Sequence, residues 1–228
     1  MNVGNWKFNQ KKSSSFESHI KKSVPDYLHT HGLIIKLIDF FTFPKSTIID
    51  IGATTGNLIK KIHKRHSQKN LSFIAIEPEK KMVRFLKKNL RNIKNVKILN
   101  NNAENTNIIK SDMIISHYTI QFIKPSKRQG LIKKIYKSLN KYGCFIWFEK
   151  IKGKNSKFEF ILSSLLNDHK EINLSAKNII TKAKSIRGIM EPLEDSENLK
   201  MLKKAGFNSS KIQTIHQNLN FKGYLCLK

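Results

Sequence analysis

Two glycines and one carboxylate hold the spacing in this sequence that could do chemistry. Gly52 and Gly56 stand either side of Ala53-Thr54-Thr55 in the run IIDIGATTGNL, residues 48–58, of a chain with ten glycines. An apolar run that ends in Gly-x-x-x-Gly and opens into a periodic segment is a tight turn or a backbone that comes close to a ligand. Glu77 closes a second apolar run, LSFIAI, 25 residues beyond Gly52. A carboxylate at that place accepts hydrogen bonds from both hydroxyls of a ribose. The middle glycine of a dinucleotide fingerprint is missing, because Thr54 stands there. The loop therefore suits an adenosine that carries an amino acid better than a pyrophosphate. His117 ends a third apolar run, DMIIS. It reads as a strand-end histidine bonded within the site, with general-base work as the sharper alternative. His29, His31, His63 and His66 fall on polar helix faces or ends, where exposure is expected. Glu149 ends the run CFIWF and faces the site or a neighbouring Lys.

Strands must place these residues, and the pattern supplies them. Short apolar strands are expected at 46–51, 71–77, 95–99, 112–117 and 144–150. Single helices separate them at 57–65, 79–90 and 126–140, the last ended by the turn Lys141-Tyr142-Gly143. A helix over 27–42 precedes the first strand. Strands joined by single helices mean crossover connections, hence a Rossmann-like, mostly parallel seven-stranded sheet with helices on both faces. Residues 155–187 read as helices without a strand, a lid over the strand C-termini. A helix capped by Asp195 or Ser196 and closed by Gly206 follows. Strands at about 209–216 and 219–227 then make an antiparallel edge pair. Residues 1–24, basic and polar around KKSSS, are expected to be a flexible segment, and 25–228 one domain.

The 228 residues carry 43 Lys and Arg against 16 Asp and Glu, a formal net charge of +27. Five of those bases are Arg and 38 are Lys. Such a surface steers RNA or is a solvated coat that reflects an AT-rich genome; selective readout favours the bidentate Arg fork. Cys144 and Cys226 lie singly in apolar runs, so buried free thiols are expected and no zinc site. MNVGNWKFNQKK has no apolar leader core, and LIIKLIDFFTF is too short to span a bilayer. The expectation is a cytoplasmic protein with no membrane contact.

The chain resembles the class I S-adenosylmethionine-dependent methyltransferases over about residues 25–150. IIDIGATTG looks like their first motif, with Asp50, Gly52 and Gly56. AIEPEKKM looks like their second, and NNNAEN, residues 100–105, like their adenine-contacting turn, with Asn102 in place of an acid. Within that class KSVPDY, residues 117–150, KKAGF and LNFKGYLCLK are similar to carboxy-S-adenosylmethionine synthase and its close methyltransferase relatives. The resemblance implies S-adenosylmethionine as cofactor, held by Tyr27, Gly52, Ala53, Thr54, Glu77, Pro78, Asn102, Ala103 and His117. It also implies, for the synthase, carboxylation of the sulfonium methyl with prephenate, in service of tRNA wobble-uridine modification, and a homodimer. Three departures stand out. Glu77-Pro78 replaces the usual Asp-Asn, His117 replaces Asn, and the Arg that holds the transferred carboxylate aligns with Lys182 or Ala183, with Arg187 a turn later. Methyl transfer to an unidentified acceptor is thus the first reading and the synthase reaction the alternative. An RNA-binding module on the same fold is a further alternative. Tyr27, His117, Arg187 and Lys182 are the catalytic candidates.

Overall fold

The structure, a computed structural model, describes residues 13–228. Helix α1 (Ser13–Ser23) leads into α2 (Tyr27–Phe41) through Pro25-Asp26. The sheet then builds as β1 (Thr47–Ile51), β2 (Ser72–Ile76), β3 (Val96–Leu99), β4 (Ser111–His117) and β5 (Leu139–Lys152). Helices α3 (Asn57–Arg65), α4 (Lys80–Leu90) and α5 (Pro125–Ser138) make the crossovers. Two helices, α6 (Ser156–Glu171) and α7 (Ala176–Ser185), follow β5. The two-residue β6 (Leu193–Glu194), α8 (Asp195–Ala205), β7 (Ile212–Asn218) and β8 (Phe221–Leu227) complete the chain.

The strand order is β3-β2-β1-β4-β5-β8-β7, with β6 paired to β5 off that path. The first five strands are parallel, and β8 and β7 add antiparallel. The expected seven-stranded path is therefore present, with β6 as an extra short strand. Alternation along each strand sends Ile48, Phe73 and Met113 to a core under α2 and α3. Ile49, Ile51, Ile74 and Ile114 go to the opposite face, under α5 and α8. Helix α4 forms because Met82, Val83, Leu86 and Leu90 recur on one face while its lysines stay in water. The order reverses between β1 and β4, which opens a crevice at their carboxyl ends.

Three local expectations change. Ser13–Ser23, read as flexible, is helical, and its apolar Phe16 is 6% exposed. Residues 1–12 lie outside the described residues. The turn at Lys141-Tyr142-Gly143 is an irregularity inside β5. Tyr142 has φ 65°, and the pairing jumps from Ser111↔Leu139 to Met113↔Cys144. Helix α8 is capped by Glu194, not by Asp195 or Ser196. A capping box between Glu194 and Glu197 satisfies both ends of the first turn.

Candidate functional site

The loop after β1 is held by its own sheet. The N–H groups of Gly52 and Ala53 both donate to the Ile76 carbonyl, at 2.8 and 3.1 Å, and Gly56 N–H donates to Ala53 O. Gly52 has φ 78°, and a Cβ there would stand 2.2 Å from Thr119 Oγ1. A glycine is required by conformation and by the approach of the β4 loop. Gly56 answers differently. At φ 77° it precedes α3, and a Cβ would meet Leu86 Cδ1 at 2.6 Å. Gly56 packs the loop on α4 and, unlike its neighbours, does not line the cavity. The first glycine shapes the ligand side, and the second shapes helix packing.

Glu77 lies beside this loop. Its Oε2 accepts from Thr54 N–H at 2.9 Å and its Oε1 from Glu79 N–H at 3.0 Å. Asn100 Nδ2 donates to the Glu77 and Pro78 carbonyls and fixes the turn. Each carboxylate oxygen keeps a lone pair, enough for one ribose hydroxyl apiece. Burial pushes Glu77 up to about 7, against the pull of the two N–H groups. Burial, then the nearby Glu77, lifts Asp50 to about 7.

These groups line one cavity of about 840 Å3, within the range of small-molecule sites. Every other candidate lies on its wall: Tyr27, Asp50, Ala53, Thr54, Pro78, Asn102, Ala103, His117, Lys182 and Arg187. The turn at Asn102 and Ala103 lies on the same wall. His117 and Tyr27, with ring centroids 5.2 Å apart, stand where β4 meets α2. The roof comes from both sides. Helix α1 lends Phe16, His19 and Ile20, and α6 and α7 lend Leu166, Lys170 and Lys182. His19 Nε2 and Lys182 Nζ meet at 2.5 Å, joining α1 to α7.

The roof is also where the sequence reading fell short. Arg187, a turn past the aligned position, is exposed at the cavity mouth. Lys182 is deeper and has company: Lys150 from the end of β5 and Lys170 from α6 share the wall. Burial, followed by repulsion from Lys150, lowers Lys170 to about 8. Burial, followed by repulsion from Lys170, lowers Lys182 to about 8. Lys150 is also lowered by burial, with Glu159 opposing. Lys150 was findable, since it sits at the carboxyl end of β5, where ligands of such sheets bind. Lys170, in a lysine-rich helix, carries no such signal.

Two histidines were misread as exposed. His31 is 2% exposed on the cavity wall, and His66 is 3% exposed, with Nε2 2.9 Å from the Ile35 carbonyl. Glu149 is buried and accepts from Ile120 N–H at 3.0 Å; burial raises it to about 8. It holds the loop after β4 and does not line the cavity. The thiols of Cys144 and Cys226 are free and buried. Among the described residues no three His, Cys, Asp or Glu side chains gather as a metal site. No helix among them is long and apolar enough to cross a membrane.

Comparison with known proteins agrees with this geometry. Residues 48–143, from β1 into the irregularity of β5, match the family described as "Methyltransferase domain". The chain is 32% identical over 225 residues to a carboxy-S-adenosyl-L-methionine synthase of Staphylococcus epidermidis, covering 98% of this chain and 97% of that protein. It is 31% identical to the protein of the same name from Nautilia profundicola, covering 98% and 94%. Among solved structures, a cyclopropane synthase of Mycobacterium tuberculosis superposes with a TM-score of 0.63 at 15% identity, over 82% of this chain and 63% of that one. Human N-acetylserotonin methyltransferase in complex with S-adenosylmethionine gives 0.59 at 13% identity, over 87% and 53%.

Proposed function

This chain belongs to the carboxy-S-adenosyl-L-methionine synthase family, on the class I methyltransferase fold, and we propose that it moves a carboxyl group onto S-adenosylmethionine. It is an S-adenosylmethionine-dependent transferase. Here S-adenosylmethionine is a substrate. In this reading Glu77 takes the ribose hydroxyls, Asn102 and Ala103 border the adenine, and Tyr27 and His117 flank the sulfonium end.

One observation carries the carboxyl reading over methyl transfer. The cavity beyond His117 is roofed by Lys150, Lys170 and Lys182, with Arg187 at the mouth. Partly buried cations that repel one another are costly unless an anion joins them. The anion that fits is a carboxylate donor, with prephenate as the donor implied by the family resemblance. The lysines thus stand in for the Arg that the aligned position, Lys182 or Ala183, does not supply. Direct methyl transfer would ask little beyond alignment and exclusion of water; carboxyl transfer needs these and also a cation for the carboxylate and removal of a methyl proton. The roof of α1, α6 and α7 supplies the alignment and the exclusion of water.

Methyl transfer to an unidentified acceptor is the second reading, favoured by His117, whose imidazole can take an acceptor's proton. The experiment incubates the protein with S-adenosylmethionine and prephenate and weighs the nucleosides. A nucleoside heavier by one carboxyl group supports the synthase. Absence of such a product, from protein that binds S-adenosylmethionine, moves the assignment to methyl transfer. With the synthase reading go four further proposals: a product used in tRNA modification, RNA contact through the lysine-rich surface, a cytoplasmic setting and a homodimer. Filter binding to tRNA at two salt concentrations and sedimentation test the contact and the dimer.

A further inference from the structure

The corner where α2 meets the end of β4 holds a hydrogen-bond arrangement that neither the cofactor nor the lid explains. His117 Nε2 lies 3.0 Å from Thr30 Oγ1. The Thr30 hydroxyl gives its one proton to the Tyr27 carbonyl at 2.9 Å. With its proton on the Tyr27 carbonyl, Thr30 accepts from His117, the arrangement that puts the imidazole hydrogen on Nε2 and leaves Nδ1 its lone pair. The His31 ring stands beside it, centroids 4.8 Å apart. His31 is 98% buried by its 2% exposure, and its Nδ1 has no hydrogen-bond partner among the described residues. Both rings face the cavity wall, as do Tyr27 and Tyr118. A buried polar atom without a partner is costly and marks a place that a ligand completes.

We propose that His117, fixed by Thr30 with Nδ1 as its free nitrogen, is the base that takes a proton from the S-methyl group of S-adenosylmethionine, with His31 as its ring neighbour. This rests on S-adenosylmethionine filling the cavity as assigned above. The step balances. The methyl C–H bond breaks, its electron pair stays on carbon, and the proton bonds to His117 Nδ1. The ring–carboxyl bond of prephenate, held under the lysines, breaks; its electron pair aromatises the ring and expels the ring hydroxide. The carbanion pair forms the C–C bond to the released carboxyl carbon, and the hydroxide takes the proton from His117 and leaves as water. Burial lowers both imidazoles, so each is neutral with a lone pair open, and a proton taken by His117 is passed on rather than held. Asn, common in the synthase at this position, makes the same kind of polar contact but cannot accept such a proton. The base is thus a property of this chain's Thr30-His31-His117 corner.

The test uses no carboxyl donor. S-adenosylmethionine is incubated with the whole protein in D2O, and deuterium in its S-methyl group is followed by mass and proton NMR. The wild type should speed exchange over solvent alone. His117→Asn should lower the enzymatic rate by about 10²-fold, the scale of general-base catalysis. Thr30→Val, which removes the acceptor that sets the tautomer, should lower it less. Calorimetric binding of S-adenosylmethionine on the same proteins separates a lost base from an empty site. Nitrogen-15 NMR of the histidines in the ligand-free protein should place the His117 proton on Nε2. Exchange equal to solvent while S-adenosylmethionine is bound overturns the proposal. So does exchange unchanged in His117→Asn. If His117→Asn does not fold, Thr30→Val and the nitrogen-15 tautomer decide: unchanged exchange or a proton on Nδ1 overturns it.

Discussion

Two residues, Glu77 and Gly52, carry the sharpest single-site predictions. On the proposed reading Glu77→Ala removes the acceptor of both ribose hydroxyls, and it frees the N–H groups of Thr54 and Glu79. Calorimetry should show S-adenosylmethionine bound about 1–3 kcal/mol more weakly. Gly52→Ala is expected to be worse than its size suggests. It forces φ 78° on an L side chain and drives a Cβ into Thr119. A loss of more than about 1 kcal/mol in urea unfolding follows, with loss of binding. The place of Glu77 was legible from sequence, because the apolar run LSFIAI ends there, and the structure has it buried beside the Gly52 loop. His31 was not. Helical spacing put it on a polar face, and only the packing of Tyr27 and His117 around it shows that this face meets the cavity. Gly56 was legible as a glycine but not in its role, because Leu86 and Leu90 reach it from a different helix.

The roof is the element that decides the chemistry. Helices α6 and α7 were legible as a strandless stretch, and their caps, Asn155 on Phe158 N–H and Ser175 on Asn178 N–H, close it into two helices. Helix α1 was not legible. Its sequence is polar, and tertiary packing of Phe16 and Ile20 on the cavity overrides weak propensity. Lys170→Met should trade function for stability. It should raise the melting temperature of the ligand-free protein, because burial and Lys150 repulsion hold Lys170 below its usual range. It should also raise KM for prephenate by about tenfold or more, through loss of a charge-assisted contact. S-adenosylmethionine affinity should change little, since the ribose and adenine ends lie on other elements. An unchanged KM would remove Lys170 from the donor site.

Across the whole molecule the parallel sheet was legible because its strands are isoleucine-rich runs parted by single helices. Strand β6 was not, since two residues carry no period. The buried carboxyls give the molecule a pH signature. Asp50, Glu77 and Glu149 are raised to about 7, 7 and 8 in the folded state. An acid raised on folding binds its proton more tightly when folded, so its stability is full below the unfolded value and is lost as pH rises through the folded one. His31 and His117, lowered by burial, act oppositely, but only below about pH 6.5. The ligand-free protein should therefore lose melting temperature from pH 6.5 to 7.5, below the range where Lys170 and Lys182, lowered to about 8, act oppositely, and bound S-adenosylmethionine should offset part of that loss. A rise over that interval would contradict the burial assigned to these three groups. The central claim is that one cavity holds S-adenosylmethionine on Glu77 and turns its methyl group toward the lysine roof. A crystal structure of the protein with S-adenosylmethionine tests it most directly. The account predicts both ribose hydroxyls on Glu77, and the S-methyl group between His117 and the space under Lys150, Lys170 and Lys182. A ribose held elsewhere, or a methyl group facing away from that roof, would contradict it.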